Sequence, residues 1–239
     1  MYQNKTVAVV IPALNEAPSI VEVVEGLKRL SNSDGQRLVD DIVVCDNAST
    51  DDTAVLARYA GARVVYEDVR GYGAACQAAL AAISQADYVV FVDADLSVDI
   101  SQLYLLLAPL AIDADLVIGS RSLGNSQAGA LTLPQRIGTR LACQLIGYFW
   151  RRPVTDLGPF RAITRSALCR LNMQDRKFGW TVEMQVKAIQ QGMNVVEVPV
   201  TTFRRLGQSK ISGTFKGVVG AAIGIFATIF MLRHAQSQA

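Results

Sequence analysis

The chain has 239 residues, 51% of them hydrophobic, and a formal charge of +2, which suits one α/β domain of ordinary size with a real core. Its single histidine, His234, lies in the tail, so neither a zinc centre nor a His-based catalytic triad is expected. The small net charge hides a split: residues 1–120 carry 7 Lys/Arg against 17 Asp/Glu, and residues 121–239 carry 16 against 4. An acidic half can hold a metal, and a basic half can face anions or a membrane surface.

In chain order, residues 7–11 read as a strand and 12–16 as a loop, and Ser19 is placed to cap a helix reaching residue 30. The opening is strand-like, without the apolar core and cleavage site of a leader, so none is expected. Residues 42–45 are the next strand, ending on Asp46, and the run from Ser49 to Asp52 starts a second helix. Residues 63–66 make a third strand. Gly71 and Gly73 then punctuate a loop before an Ala-rich helix over 74–83. Residues 88–92 and 116–118 are strands four and five, with a Leu-rich helix between them. Strands alternating with helices imply an α/β fold around a mostly parallel sheet. The four cysteines (Cys45, Cys76, Cys143, Cys169) have no paired spacing, as expected of a reducing compartment.

The most informative stretch is VVFVDADLSVD over residues 89–99. A buried strand explains its apolar part. Asp93 and Asp95 end it where ligands bind in open α/β sheets. Two carboxylates one residue apart suit Mg2+ or Mn2+, which take oxygen ligands and keep positions open for phosphate; on a strand both would point the same way. The plain alternative is an acidic helix start.

Five segments share one order and spacing: VVIPALNEAPSI, VVCDNASTDDT, RGYGAACQAAL, VDADLSVD and VIGSR. Together they resemble the family-two glycosyltransferases of the GT-A fold, across nearly the whole chain. The resemblance implies a nucleotide-sugar site, with Pro12, Ala13, Asn15 and Glu16 along the nucleotide, Asp46 towards the base, and Asp93 and Asp95 at sugar and metal. A diphosphate beside such carboxylates needs a bridging cation, Mg2+ or Mn2+. Around Arg70, Gly71 and Gly73 the backbone can approach a nucleotide closely; a plain turn explains them almost as well. In the second half, DLGPFRAITRSAL, FGWTVEMQVKAIQQG, VVEVPVTTFRR and RRLGQSK are similar to the dolichol-phosphate-mannose and -glucose synthase branch. Arg121, Arg136 and the Arg205–Lys210 segment fall where that branch gathers positive charge around phosphates. Two departures are Ser97, where Gln or His is usual, and Asp46–Asn47–Ala48–Ser49 in place of D-D-G-S.

The expected activity is transfer of a hexose from a nucleotide diphosphate sugar to a polyprenyl phosphate, with inversion, at the cytoplasmic face of a membrane. Arg121 and Asp95 are the leading catalytic candidates. A soluble hydroxyl acceptor would instead need a carboxylate base, Asp156 or Glu183; a non-catalytic scaffold ranks lower. Nucleic acid is not expected as a partner, because the cations lack interleaved aromatics and no nucleic-acid motif occurs. Residues 1–210 are expected to form the glycosyltransferase domain, with 1–120 serving the donor and 121–210 the acceptor. Residues 211–239 form an apolar tail in which Gly213, Gly217, Gly220 and Gly224 make one stripe. Lying at the membrane surface is the first expectation for it, a core helix the second and a tilted span the third. The stretch 131–150, with Arg136, Arg140, Arg151 and Arg152 in or beside it, is a second interfacial candidate.

Overall fold

The computed structural model describes residues 1–32, 34–206 and 215–237. Seven strands form one sheet: β1 (Val7–Ala13), β2 (Asp41–Asp46), β3 (Arg63–Tyr66), β4 (Tyr88–Phe91), β5 (Leu116–Ser120), β6 (Arg161–Thr164) and β7 (Val195–Pro199), in the order β3-β2-β1-β4-β6-β5-β7. All neighbours run parallel except β6, which is antiparallel to both β4 and β5. The helices are α1 (Ile20–Arg29), α2 (Thr53–Tyr59), α3 (Tyr72–Ala82), α4 (Leu103–Ile112), α5 (Leu133–Trp150), α6 (Arg165–Leu171), α7 (Trp180–Gln190) and α8 (Phe215–Ser237).

Alternation along β1 assigns the layers. Val7, Val9 and Ile11 face a cluster containing Val23, Val24 and Leu27 of α1 and Leu103, Leu106 and Leu107 of α4. Ala8 and Val10 face the other side, packed with Ala75, Cys76 and Ala79 of α3 and Trp180 and Met184 of α7. A third cluster lies away from the sheet, where Ala142, Cys143 and Ile146 of α5 meet Val182 and Val186 of α7 and Ile229 and Leu232 of α8.

β1 is flanked by β2 on one side and β4 on the other. Chain direction around the sheet therefore reverses between β1 and β4, and their C-terminal ends open a crevice there. Two local expectations need correction. Ser19 occupies the N-cap of α1 without capping it; its hydroxyl donates to the Glu16 carbonyl at 3.3 Å instead. β4 ends at Phe91, so Asp93 and Asp95 sit in the following loop, where strand alternation does not set their directions.

Helix α8 packs on α5 and α7 through buried Thr228, Ile229 and Leu232. The Phe149 and Phe230 rings meet at 5.9 Å, and Trp150 Nε1 donates to Gln236 Oε1 at 2.7 Å. Ile223, Phe230 and Met231 remain largely exposed. Of the glycine stripe, Gly224 lies against Phe178, Gly220 faces open space and Gly213 is outside the described residues. No helix among the described residues is long and apolar enough to cross a membrane.

Candidate active site

The crevice at the ends of β1 and β4 is a cavity of about 460 Å³. Pro12, Ala13 and Glu16 line one wall, Asp93 and Asp95 another, and Gly71, Tyr72 and Arg205 close it. Asn47, Arg70, Lys177 and Phe178 also line it. Asp46, Asn15 and Gly73 do not line it. Asp46 accepts from the Ser49 amide at 3.1 Å. Asn15, at φ 53, accepts from the Thr50 amide at 2.7 Å, and its own amide donates to Ser49 Oγ at 2.9 Å. These bonds fold the 46–51 loop. Ala48 sits in it at φ 59, a left-handed conformation that glycine adopts with less strain.

Asn47 ties the next loop to the site. Its amide donates to the carbonyls of Glu67 and Val69 at 2.9 Å each, and its oxygen accepts from the Gly71 amide at 2.8 Å. The expected close approach at Gly71 and Gly73 exists, but protein backbone fills it. Gly73 is in the first turn of α3, not in a loop, and a Cβ there would lie 2.1 Å from the Asp175 carbonyl oxygen. One at Gly71 would lie 2.1 Å from the Arg176 oxygen. The amides of Gly73 and Ala74 donate to Lys177 and Arg176 at 3.1 and 2.9 Å.

The Asp93 carboxyl accepts from the Tyr72 hydroxyl at 3.1 Å. Burial, and then the nearby charge of Asp95, push its pKa up to about 7, while Tyr72, Arg205 and Arg121 oppose the rise. On Asp95, Oδ1 accepts from the Ser97 amide at 3.0 Å. Its Oδ2 faces Arg205 Nη1 at 3.4 Å, and Arg205 Nη2 reaches Glu16 Oε1 at 3.0 Å. Among the described residues no group of three or more His, Cys, Asp or Glu stands together as a metal cage. Two carboxylates fit a hard cation that takes its other oxygens from phosphate and water.

Beyond Arg121 lies a second and larger cavity of about 1050 Å³, between residues 121–131, α5 and residues 153–156. Arg121, Arg136 and Arg140 bring positive charge to it, Asp156 adds one carboxylate, and Leu131, Leu133 and Ile137 form an apolar margin. Arg121 lines this cavity and not the crevice, but its charge acts on Asp93. It is held by Asp156: Nε to Oδ2 at 2.8 Å, Nη2 to Oδ1 at 2.7 Å, and the Arg121 amide to Oδ2 at 2.7 Å.

A scan against family models matches "Glycosyl transferase family 2" over residues 8–171. The chain belongs to that family. An uncharacterized glycosyltransferase of Mycobacterium tuberculosis is 37% identical over 226 residues, 93% of this chain and 97% of its own. A dolichyl-phosphate hexose transferase of Haloferax volcanii is 30% identical over 226 residues, 93% of this chain and 92% of its own. Among solved structures, glucosyl-3-phosphoglycerate synthase of M. tuberculosis with Mn2+, UDP and phosphoglyceric acid superposes with a TM-score of 0.77 at 25% identity, covering 96% of this chain and 79% of that one. The same synthase with Mg2+ and UDP gives a TM-score of 0.74 at 25% identity, covering 97% and 80%. The fold is that of the GT-A glycosyltransferases.

In this family-2 glycosyltransferase the two carboxylates weighed as bases are both committed elsewhere. Burial alone would raise the Asp156 pKa, but the hydrogen bonds and charge of Arg121, with the Arg121 and Leu157 amides, bring it below the usual carboxylate range. Glu183 is 2% exposed and lines neither cavity. It accepts from the amides of Gln174 and Asp175 and pairs with Lys187 at 2.6 Å. It thereby braces residues 174–177, the backbone on which Gly71 and Gly73 rest. Lys210 lies outside the described residues. Tyr72, Lys177 and Arg140 are site residues that the motifs did not single out. Tyr72 lies between the two glycines of a quoted motif, Lys177 immediately precedes another, and Arg140 was read only as part of the interfacial 131–150 stretch.

Proposed function

We propose that this chain transfers a hexose from a nucleotide diphosphate sugar to a polyprenyl phosphate, with inversion, using Mg2+ or Mn2+. The observation that carries the reading is a large cavity lined by Arg121, Arg136 and Arg140, with Arg121 close enough for its charge to act on Asp93 in the crevice. Asp93 and Asp95 would hold the metal, with Pro12, Ala13, Glu16, Asn47 and Gly71 along the nucleotide. The metal, when bound, would offset the charge that develops on the leaving diphosphate. Arg121, Arg136 and Arg140 would neutralise the acceptor phosphate and hold it against repulsion from the donor.

A phosphate acceptor is already an anion at neutral pH and needs no protein base, which agrees with the commitments of Asp156 and Glu183. The archaeal relative named for dolichyl phosphate supports the same acceptor class. The exposed apolar residues Leu133, Ile137 and Leu141 on α5, beside Arg136 and Arg140, suit a place at the cytoplasmic membrane surface. We read residues 1–210 as the glycosyltransferase domain, and 211–239 as a helix and tail that contribute to the membrane-facing side.

A second reading is favoured by the superposition on the phosphoglycerate-bound synthase: a soluble phosphorylated acceptor in the same basic cavity. The full-length protein, given labelled UDP- and GDP-hexoses with polyprenyl phosphate in detergent or 3-phosphoglycerate in solution, separates the two. Label in the organic phase, dependent on the divalent cation, is the expected result. Label confined to phosphoglycerate would replace the lipid reading.

A further inference from the structure

Both oxygens of Asp95 have partners within the protein. Oδ1 takes the Ser97 amide at 3.0 Å, and Oδ2 faces the Arg205 guanidinium at 3.4 Å. Arg205 bridges across the crevice to Glu16 at 3.0 Å. The bridge is anchored at its base, because the Phe203 amide donates to the Ser97 carbonyl at 2.9 Å and the Leu206 amide to the Asp95 carbonyl at 3.0 Å. Residues 203–206 thus run alongside the Asp95 loop, and the guanidinium follows from that pairing rather than from a loose surface side chain. Its Nε is buried without a hydrogen-bond partner among the described residues, so one donor of the fork is still unused.

We propose that Arg205 is the counter-ion of the donor-site carboxylates Asp95 and Glu16, and that it makes metal and nucleotide diphosphate bind together instead of in turn. This rests on the proposed metal role of Asp93 and Asp95. A divalent cation arriving alone at Asp95 Oδ2 meets a guanidinium already in contact with that oxygen, and like charges at such range oppose each other. A diphosphate gives the guanidinium an anionic partner, which planar forked donors suit, and releases Asp95 for the metal. Each ligand therefore raises affinity for the other by the same factor.

The test measures Mn2+ affinity of the full-length protein by electron paramagnetic resonance, with and without UDP. Wild type should bind Mn2+ weakly alone and much more tightly with UDP. Arg205→Gln should bind Mn2+ alone about tenfold more tightly, because a repelling charge is gone, yet bind UDP less tightly in saturating Mn2+, so that the coupling between the ligands shrinks. Arg205→Lys keeps the charge with a single-headed donor and should fall between them; it also carries the test if the Gln variant does not fold. An Arg205 that only braces the loop would lower both affinities on substitution, and that result would overturn the inference. Equal Mn2+ affinity in wild type and both variants would overturn it as well. Wild type that binds no Mn2+ even with UDP would remove the metal reading itself, and this inference with it.

Discussion

The Arg121 guanidinium and the Asp156 carboxylate meet edge to edge, Nε to Oδ2 at 2.8 Å and Nη2 to Oδ1 at 2.7 Å, with Asp156 only 1% exposed. The carboxylate gets its position from elsewhere in the sheet: Glu197 of β7 accepts from the Thr155 amide at 2.9 Å and the Asp156 amide at 3.3 Å. Asp156 therefore fixes Arg121 in the wall of the larger cavity.

Asp156→Asn should cost about 3–5 kcal/mol at pH 7, the usual result of leaving one partner of a buried ion pair alone. Because the folded-state pKa of Asp156 is lowered, its stabilisation is present above about pH 4 and is lost as pH falls through the folded value. Urea unfolding at pH 7 and at pH 3 should thus show a gap between wild type and variant that narrows in acid. A gap that stays constant would mean that the ion pair is not its source.

Asp95→Asn should leave the thermal transition near that of the wild type while removing most turnover, and excess EDTA should reproduce the loss in the wild type. Asp156→Asn should be the milder of the two in turnover, since it misorients Arg121 without touching the crevice carboxylates. Full activity in EDTA would end the metal assignment.

Gly73→Ala tests the support beneath the donor site. The added methyl would lie 2.1 Å from the Asp175 carbonyl oxygen and 2.8 Å from its carbon, both backbone atoms. Overpacking of this kind costs about 1–3 kcal/mol, and either α3 or the 175–177 segment must move. Calorimetry should show a lower Tm together with weaker UDP binding, because Gly71, Tyr72 and Lys177 move with these two segments. Unchanged UDP affinity would show that the support and the site are independent.

The first five strands and the loops at their ends were legible because each is a short apolar run closed by polar or turn residues. That pattern is local. β6 and β7 were not legible. β6 breaks the parallel alternation, since it inserts antiparallel between β4 and β5 although α5 precedes it, and β7 at the sheet edge has no buried face to mark it. Asp93 and Asp95 were readable as a pair at the end of a strand, but their loop conformation was not. Glu183 was misread for a related reason: its partners, the Gln174 and Asp175 amides, are backbone groups that carry no sequence signal. The Arg121–Asp156 pair spans 35 positions and depends on how β5 and the 155–157 segment meet.

The tail expectation also shifts. Removing residues 211–239 should not give a well-behaved soluble domain, because Ile229 and Leu232 cover Ala142, Ile146 and Val186. Exposing such a cluster should lower Tm and promote aggregation. Ile223→Ser with Met231→Ser, at largely exposed positions, should keep Tm while weakening sedimentation with anionic vesicles. Vesicle binding unaffected by that pair would place the membrane contact on α5 instead.

The acceptor assignment predicts a division of labour between the cavities. Arg136 and Arg140 line the larger cavity but not the Asp93–Asp95 crevice. Arg136→Ala and Arg140→Ala should therefore raise the acceptor KM about tenfold, as expected from losing a charge-assisted hydrogen bond worth roughly 1.5–3 kcal/mol, and leave the donor KM within about twofold. Arg121→Ala should affect both substrates, because Arg121 also acts on Asp93 through its charge and its loss strands Asp156. Arg136→Lys should recover part of the loss, since it restores the charge without the fork. If Arg136→Ala and Arg140→Ala raised the donor KM and spared the acceptor, the larger cavity would belong to the nucleotide sugar and the acceptor would have to bind elsewhere.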